Sequence, residues 1–379
     1  MKPSDRVTNI PPSGIRRFFE LAEEADDVIS LGVGEPDFSA PWRVRDAAIA
    51  SLERGQTSYT TNRGLSPLRE SISEYVFDEF GLAYEPDNEI LVTTGASEAV
   101  DVAIRAIIDP GDIVALPEPT YLSYAPLLEL SGATILPVPT TEADEFRLTV
   151  DALQEVGAAE ADVLILCYPN NPTGAIMPKA NLTPIAEYVK QHDLAVISDE
   201  IYAALTYGTT HTSIATLPAM RERTIVINGF SKAFAMTGLR LGYALAPPAI
   251  TDAMNRIHQY GMLSAPTTAQ YAAIEALDSC LPDVQEMRQA YDRRRTFVLS
   301  RLADMDISCF EAKGAFYVFP ECPTADANQF AEDLLHEEGV AVVPGDAFGA
   351  AGNDHLRVSY ATHIERLKEA MNRLERFIG

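Results

Sequence analysis

Short apolar runs alternate with helical segments from residue 89 onward, and this alternation limits the possible folds more than any other feature of the 379-residue sequence. The seven runs are EILVTTG, DIVALPEP, ATILPVP, DVLILCYP, LAVISDEIY, TIVINGF and LRLGYALAP. Segments of helical periodicity, such as residues 97–107 and 182–191, separate most of them. Such alternation is typical of strand–helix–strand units around a mainly parallel sheet. We therefore expect an α/β fold with a large domain whose seven-stranded, mainly parallel sheet is flanked by helices.

The pattern changes after about residue 280. A long amphipathic helix over 286–305 leads to the apolar segments GAFYVFP, VAVVPG and LRVSY, with a helix around 329–338 and a closing helix. These elements predict a smaller α+β unit. The residues before about 45, with a helix near 15–24, are too few to fold alone and are expected to pack on that unit. The predicted domains are a large domain over 46–280 and a discontinuous small domain formed by 1–45 and 281–379.

The charge balance limits the possible partners. The chain has 55 acidic and 29 basic residues, a net charge of −26. Such a surface repels nucleic-acid phosphates and anionic lipids, so we expect no nucleic-acid or membrane partner. Only six of the basic residues are lysines. Acid-rich, lysine-poor surfaces suit proteins that stay soluble in concentrated salt, where screening relieves self-repulsion, and we hypothesise a salt-loving source.

Other features predict a cytoplasmic protein. The first twenty residues lack the apolar core of a signal peptide, and the longest uncharged run, residues 201–220, is too polar to cross a bilayer. The spacing of the cysteines fits no metal site, so we expect no metal and interpret them as isolated thiols in a reducing compartment. They are Cys167, Cys280, Cys309 and Cys322.

Residues suited to chemistry follow the ends of the apolar runs, where open α/β sheets bind ligands. In TTGASEAV, Gly95, Ala96 and Ser97 leave a strand and open a helix. Free N–H groups at such a helix start hold anions, typically phosphate, although Ser97 could instead act as a simple helix cap.

Two further motifs each allow two interpretations. Asn171, in CYPNNPTG, could form part of a turn or hold a ligand oxygen through its amide. Asp199, in SDEIY, follows a buried run and needs a partner, such as a protonated ring nitrogen. A structural salt bridge or a helix cap is the alternative for Asp199.

Lys232, in NGFSKAFAMTGLRLGYALAP, is the most informative residue. It is set among small and apolar residues, with no charged residue within seven positions on either side. Burial lowers the pKa of an amine towards nucleophilic use, although a structural lysine that reaches solvent is the alternative. Lys313 is the rival candidate, and Arg240 could clamp a phosphate in the same pocket. Arg357, in HLRVSYA, suits a carboxylate ligand or a structural ion pair.

Together these motifs resemble the class I/II pyridoxal-phosphate aminotransferases of fold type I, which include aspartate aminotransferase. The resemblance extends from VGEPDF at 33–38 to LRVSYAT at 356–362. NNPTG, SDEIY and SKAFAMTGLR follow one another in the order typical of that family.

The resemblance implies that the cofactor is pyridoxal 5′-phosphate and that Lys232 holds it as a Schiff base. Asp199 would pair with the pyridinium nitrogen and keep it protonated. Asn171 and Tyr202 would hydrogen-bond the ring hydroxyl oxygen, and Tyr121 would stack on the ring. The resemblance thus identifies Lys232, Asp199 and Tyr202 as catalytic residues.

The resemblance also implies how phosphate and substrate are held. The phosphate would lie on Gly95, Ala96 and Ser97, with contacts from Ser231 and Arg240. Tyr59, in SYTTNRG, would reach the phosphate of the neighbouring subunit, so that sites form at the interface of a homodimer. Arg357 would bind the substrate α-carboxylate, assisted by Asn171 and the backbone at Gly34.

The reaction implied is transfer of an amino group from an L-amino acid to a 2-oxo acid in two successive half-reactions. Aspartate-preferring members of the nearest branch carry a lysine at the position of Ser97, so the resemblance does not imply strict aspartate specificity. Arg16, Arg17 or another arginine of the N-terminal segment could substitute for that lysine and contact a distal carboxylate. An aspartate, alanine or aromatic donor with 2-oxoglutarate as acceptor fits the resemblance. The alternative is a β-lyase (C–S lyase) or an amino-acid decarboxylase with the same cofactor.

Two hypotheses from other classes lack their sequence signatures. A dinucleotide-binding oxidoreductase should show G-x-G-x-x-G after a strand, and none occurs here. A transcription regulator would need a helix-turn-helix and a basic face, neither of which this acidic sequence offers.

Overall fold

A computed structural model describes residues 1–8, 10 and 27–379 of the chain. The strands are β1 Ile29–Ser30, β2 Ile90–Thr93, β3 Ile113–Glu118, β4 Thr134–Pro139, β5 Val163–Cys167, β6 Ala195–Asp199, β7 Thr224–Gly229, β8 Gly242–Leu245, β9 Tyr317–Val318, β10 Val340–Ala341, β11 Val343–Pro344 and β12 Leu356–Ser359. Within the described residues, a seven-stranded sheet has the order β2-β8-β7-β6-β5-β3-β4. Its β8 is antiparallel to both neighbours, and the other pairs are parallel. Each apolar run contains one of these strands, which confirms the predicted sheet.

Helices cover both faces of this sheet because its strands are apolar on both sides. The helices are α1 Asp5–Thr8, α2 Trp42–Glu53, α3 Ser66–Phe80, α4 Ala96–Ile107, α5 Tyr124–Ser131, α6 Val150–Glu155, α7 Lys179–Gln191, α8 Pro248–Gly261, α9 Thr267–Ser279, α10 Leu281–Asp304, α11 Ala327–Glu338 and α12 Ile364–Ile378. Along β5, Val163 and Ile165 face the core under α4, whereas Leu164 and Leu166 face the core under α7. Because successive side chains of a strand point to opposite faces of the sheet, this alternation determines which residues of β5 pack towards α4 and which pack towards α7.

The C-terminal elements form a second, smaller arrangement. Here β9, β11 and β12 form an antiparallel sheet in the order β11-β12-β9. The parallel pairing of β1 with β10 attaches residues 29–30 to this part of the molecule. The domain limits remain a prediction, and the boundary placed at residue 46 lies inside α2, which begins at Trp42.

The long helix of the C-terminal part begins earlier than its periodicity indicates. α10 starts at Leu281 and not at residue 286, with Pro282 in its first turn. Proline suits this position because its missing N–H would have no partner within the helix there. The helix expected near residues 15–24, and with it Arg16 and Arg17, lies outside the described residues. Among the residues that the structure does describe, no helix is both long enough and apolar enough to span a bilayer.

Candidate active site

A cavity of about 610 Å³ opens at the edge of the large sheet where its parallel strands end. This is where chain direction places side chains from neighbouring parallel strands close together. Most of the residues singled out in the sequence line it: Gly34, Ala96, Ser97, Tyr121, Asn171, Asp199, Tyr202, Ser231, Lys232, Arg240 and Arg357. The structure thus brings together residues that are more than 300 positions apart in the chain.

The Lys232 amine lies between the large sheet and the segment that follows β1. Its Nζ donates a 2.6 Å hydrogen bond to the carbonyl oxygen of Gly34 and lies 5.7 Å from the ring centroids of Tyr202 and Phe316. Burial, together with the positive charges of Arg357 and Arg240, lowers the pKa of Lys232 to about 8, although the negative charges of Glu35 and Asp199 act in the opposite direction. An amine with this pKa is partly unprotonated near neutral pH, as a nucleophile or base requires.

Lys313 does not share these surroundings. Its side chain is 40% exposed and forms a 3.2 Å ion pair with Glu311. It does not line the cavity. The geometry therefore favours Lys232 over its rival.

Asp199 ends β6 as a buried carboxylate. Its Oδ2 accepts a 2.7 Å hydrogen bond from the Tyr124 hydroxyl, and its Oδ1 accepts one of 3.1 Å from the Ile201 N–H. Burial raises the pKa of Asp199 to about 6, although both hydrogen bonds act in the opposite direction. Among the described residues, no cation lies within ion-pair distance of it, so the structural salt bridge considered as an alternative is not found.

The segment 95–97 forms a narrow turn into α4. Gly95 has a φ of +80°, and no side chain caps the helix, so Ser97 does not play the capping role considered for it. A Cβ on Gly95 would come within 2.6 Å of Arg240 Nη2, and one on Gly242 within 2.4 Å of the Ala96 nitrogen. The Arg240 guanidinium and the start of α4 therefore lie side by side at the cavity, an arrangement suited to an anion.

Arg357 is a buried cation without an acidic partner among the described residues. Its Nη1 donates a 2.9 Å hydrogen bond to Asn171 Oδ1, and its Nη2 donates one to the Gly32 carbonyl oxygen. The guanidinium lies 4.8 Å from the Tyr317 ring centroid. Its Nε is buried without a hydrogen-bond partner among the described residues. These contacts argue against a structural ion pair and favour a carboxylate ligand that enters the cavity.

Asn171 lies in a turn over residues 171–173, but the side chain that holds this turn is that of Asn170. Asn170 Oδ1 accepts hydrogen bonds from the N–H and the hydroxyl of Thr173, and its amide nitrogen contacts the Cys167 carbonyl oxygen. Asn171, which is 5% exposed, is free of this task and contacts Arg357. The ligand-binding interpretation of Asn171 is thereby favoured over the turn.

Of the remaining predicted residues, three line the cavity and one does not. The Tyr202 hydroxyl lies 2.9 Å from that of Tyr317, and Tyr121 packs edge-on against Tyr124 at 5.5 Å between ring centroids. Ser231 is buried in the cavity wall. Tyr59 is 79% exposed and lies outside the cavity of its own chain.

Sequence reasoning missed three residues of the cavity. Tyr124 holds Asp199, Tyr317 packs between Tyr202 and Arg357, and Glu35 contacts the Thr237 hydroxyl beside Lys232. Tyr124 lies in the same EPTYLSY motif as Tyr121, so the motif itself was a usable signal. Tyr317 carries no signal, because a tyrosine in an apolar strand is an ordinary core residue.

Comparison with known proteins gives consistent results over almost the whole chain. The profile of the family described as "Aminotransferase class I and II" matches residues 26–374. The chain is 51% identical to the putative aminotransferase YugH of Bacillus subtilis, over 99% of this chain and 98% of that protein. It is 44% identical to the aspartate aminotransferase of Pyrococcus abyssi, over 100% and 98% of the two chains. The solved structure of an aromatic aminotransferase from Pyrococcus horikoshii matches with a TM-score of 0.90 and 45% identity, over 95% and 98% of the two chains.

Proposed function

Because this chain belongs to the class I and II aminotransferase family and is a pyridoxal-phosphate-dependent aminotransferase, we propose that the cavity at the sheet edge holds both cofactor and substrate. The main support for the proposal is that three chemically active side chains line the same cavity. Within the described residues, these are an amine of lowered pKa at Lys232, a buried carboxylate without a cation at Asp199, and a buried guanidinium without an acid at Arg357. Each fits one part of a pyridoxal phosphate carrying an amino acid.

The start of α4 fits the cofactor phosphate. The N–H groups that begin a helix attract anions, and Arg240 adds a cation beside Gly95. We assign Gly95, Ala96, Ser97, Ser231 and Arg240 to the phosphate. Their support is the uncapped helix start at Gly95 and the cavity wall that the other four residues share.

Asp199 fits the ring nitrogen of the cofactor. A buried carboxylate gains from a protonated ring nitrogen, since that contact would neutralise its charge. We assign Tyr202 and Asn171 to the ring hydroxyl oxygen and Tyr121 to the ring face. The cofactor itself supplies an electron-withdrawing ring that stabilises negative charge at the substrate α-carbon.

Lys232 has two tasks in this proposal. Its amine would hold the cofactor and, when free, would accept the proton from the substrate α-carbon. A pKa of about 8 keeps part of the amine unprotonated, as a base requires. The hydrogen bond to the Gly34 carbonyl oxygen orients the amine towards the cavity.

Arg357 positions the substrate. Its guanidinium binds the α-carboxylate, and Asn171 and the backbone at Gly34 complete that site. The donor is an aspartate, alanine or aromatic amino acid, with 2-oxoglutarate as acceptor. Leu122 and Leu127 give the cavity wall an apolar part that suits a neutral or aromatic side chain.

Tyr59 supports a homodimer. An exposed tyrosine outside its own cavity is consistent with a contact to the cofactor phosphate of a second subunit. The Tyr59→Phe variant should then weaken cofactor binding in the dimer, whereas the exposed control Tyr260→Phe should not. Equal affinity in both variants would argue against the shared site.

Four unpaired cysteines are consistent with a cytoplasmic location.

The test is an absorption spectrum of the purified protein with bound cofactor, recorded in high salt before and after each amino acid is added without a 2-oxo acid. A donor should bleach the visible band and release one equivalent of its 2-oxo acid. A band that persists while pyruvate or carbon dioxide appears would indicate lyase or decarboxylase chemistry instead. The comparisons do not favour that alternative.

Substitution of Lys232 separates its role from simple cofactor binding. Lys232→Ala should abolish turnover but still bind pyridoxal phosphate, and the matched control Lys313→Ala should retain turnover. Near-normal transamination in Lys232→Ala would refute the assignment.

A further inference from the structure

Glu98 and His258 form a buried pair directly behind the start of α4. Their side chains are 7% and 0% exposed, and Glu98 Oε1 lies 2.6 Å from His258 Nδ1. Because an ionised carboxylate only accepts hydrogen bonds, the imidazole Nδ1–H donates. Neither residue lines the cavity, and the proposed reaction uses neither.

Glu98 also holds the turn that precedes α4. Its Oε2 accepts a hydrogen bond of 2.5 Å from the backbone N–H of Thr94, the residue before Gly95. The Thr93 hydroxyl donates to the Gly95 carbonyl oxygen at 3.0 Å. The carboxylate of Glu98 thus fixes the backbone immediately before the N–H groups assigned to the phosphate.

His258 anchors Glu98 to a second element. It lies in the last turn of α8, and its carbonyl oxygen accepts the N–H groups of Met262 and Leu263 at 2.8 and 3.1 Å. The Leu263 carbonyl oxygen in turn accepts a 2.6 Å hydrogen bond from the Asn62 amide. These contacts fix the position of the imidazole, and the imidazole in turn holds the carboxylate of Glu98.

The other imidazole nitrogen of His258 has no hydrogen-bond partner in the described part of the chain. His258 Nε2 is buried and makes no hydrogen bond with the described residues. Burying an unpaired nitrogen is unfavourable, so an apolar side chain would serve better if the position only filled space. The contact with Glu98 is what distinguishes histidine from such a residue here.

We propose that Glu98 and His258 are positioning residues that set the geometry of the phosphate-binding turn and so give this protein its selectivity for a phosphorylated cofactor. The inference rests on the proposed cofactor site. Without the pair, the backbone from Thr94 to Ala96 loses the carboxylate that fixes it, and the first N–H groups of α4 no longer share one direction. Binding of phosphate weakens, while binding of the pyridoxal ring does not.

The test compares three ligands on the apoprotein by calorimetry: pyridoxal phosphate, pyridoxal and inorganic phosphate. Glu98→Ala and His258→Leu should each lower the affinity for pyridoxal phosphate and inorganic phosphate about tenfold and leave that for pyridoxal unchanged. His258→Asn keeps an N–H donor near the position of Nδ1 and should restore most of the phosphate affinity.

Glu89 provides a matched control. Its carboxylate is 5% exposed, accepts the N–H of Glu85 four residues earlier at 2.8 Å, and pairs with Arg221 at 2.6 Å. It thus has the same two kinds of contact as Glu98 but does not adjoin the cavity. Glu89→Ala should lower the free energy of unfolding like Glu98→Ala and leave affinity for all three ligands unchanged.

The outcomes separate this inference from the proposed function. Wild-type phosphate affinity in both Glu98→Ala and His258→Leu would overturn the positioning role, whatever their stability. If His258→Leu does not fold, Glu98→Ala and His258→Asn decide the question alone. If the wild-type protein itself prefers pyridoxal phosphate no more than pyridoxal, the phosphate site fails, and the positioning role fails with it.

Discussion

The hydroxyl of Tyr124 donates a 2.7 Å hydrogen bond to the carboxylate of Asp199, and both groups are buried in the apoprotein. This bond and the Ile201 N–H lower the pKa of Asp199, but burial outweighs them and raises it to about 6. The carboxylate is therefore held in place at a cost that a protonated ring nitrogen would relieve. The environment assigned to Asp199 can therefore be tested by measuring how the stability of the apoprotein depends on pH.

Asp199→Asn should change how the stability of the apoprotein depends on pH. The pKa of this carboxyl is raised in the fold from its ordinary value of 3.8 to about 6, so its contribution is full below about pH 4 and is lost as the pH rises through 6. The rise corresponds to about 3 kcal/mol. Wild type should therefore lose about 3 kcal/mol of unfolding free energy between pH 4 and pH 7.5. Asp199→Asn should not show this loss, because its amide does not titrate.

Chemical denaturation of the two apoproteins at both pH values measures this difference. Parallel stability profiles for wild type and Asp199→Asn would contradict the raised pKa.

Arg357→Lys should impair substrate binding more than cofactor binding. A lysine cannot reproduce the planar fork that contacts both Asn171 and the Gly32 carbonyl oxygen. Losing one charge-assisted hydrogen bond costs about 2 kcal/mol, so KM for both amino acid and 2-oxo acid should rise about 30-fold. The absorption band of the bound cofactor should not change.

Steady-state kinetics with Arg301→Lys as the control tests this prediction. Arg301 contacts Asn372 and Glu375 on the surface of the same C-terminal part of the protein. A KM in Arg357→Lys equal to that of the control would show that the guanidinium does not bind the substrate carboxylate.

Salt should stabilise this protein. A net charge of −26 creates self-repulsion that is screened over about 3 Å at 1 M salt, compared with about 10 Å at 0.1 M. The free energy of unfolding should therefore rise by at least about 1 kcal/mol between 0.1 and 2 M potassium chloride. Denaturation by urea, which is uncharged, measures it without adding ions. Full stability at low salt would argue against a salt-loving source.

The sheet could be predicted from sequence because each buried strand is a short apolar run, and all seven strands lie in such runs. From single residues, the site could be predicted only where a side chain is out of place, as Lys232 is among apolar neighbours; the other predicted site residues depend on motifs that resemble those of the family. The roles of Asn170 and Asn171 could not be separated, because adjacent asparagines have the same chemistry and only the fold directs one to the turn and the other to Arg357. Tyr124 and Tyr317 differ from core tyrosines only through what they contact.

Gly95→Ala should weaken cofactor binding beyond its effect on stability. Gly95 has a φ of +80° and a ψ of 163°, a combination that is essentially restricted to glycine, so an alanine there costs about 1–3 kcal/mol. The added Cβ would also meet Arg240 Nη2 at 2.6 Å and displace the guanidinium from the start of α4. Gly81 has a φ of +69° and a ψ of 22°, in the left-handed helical region, with none of the described residues within 4 Å of a Cβ, so Gly81→Ala imposes a backbone cost of about 1–2 kcal/mol without a clash. Both variants should lose unfolding free energy, Gly95→Ala more than Gly81→Ala, but only Gly95→Ala should bind pyridoxal phosphate about tenfold more weakly in a titration of the apoprotein. If both glycine variants bind the cofactor equally well, Arg240 does not hold its phosphate.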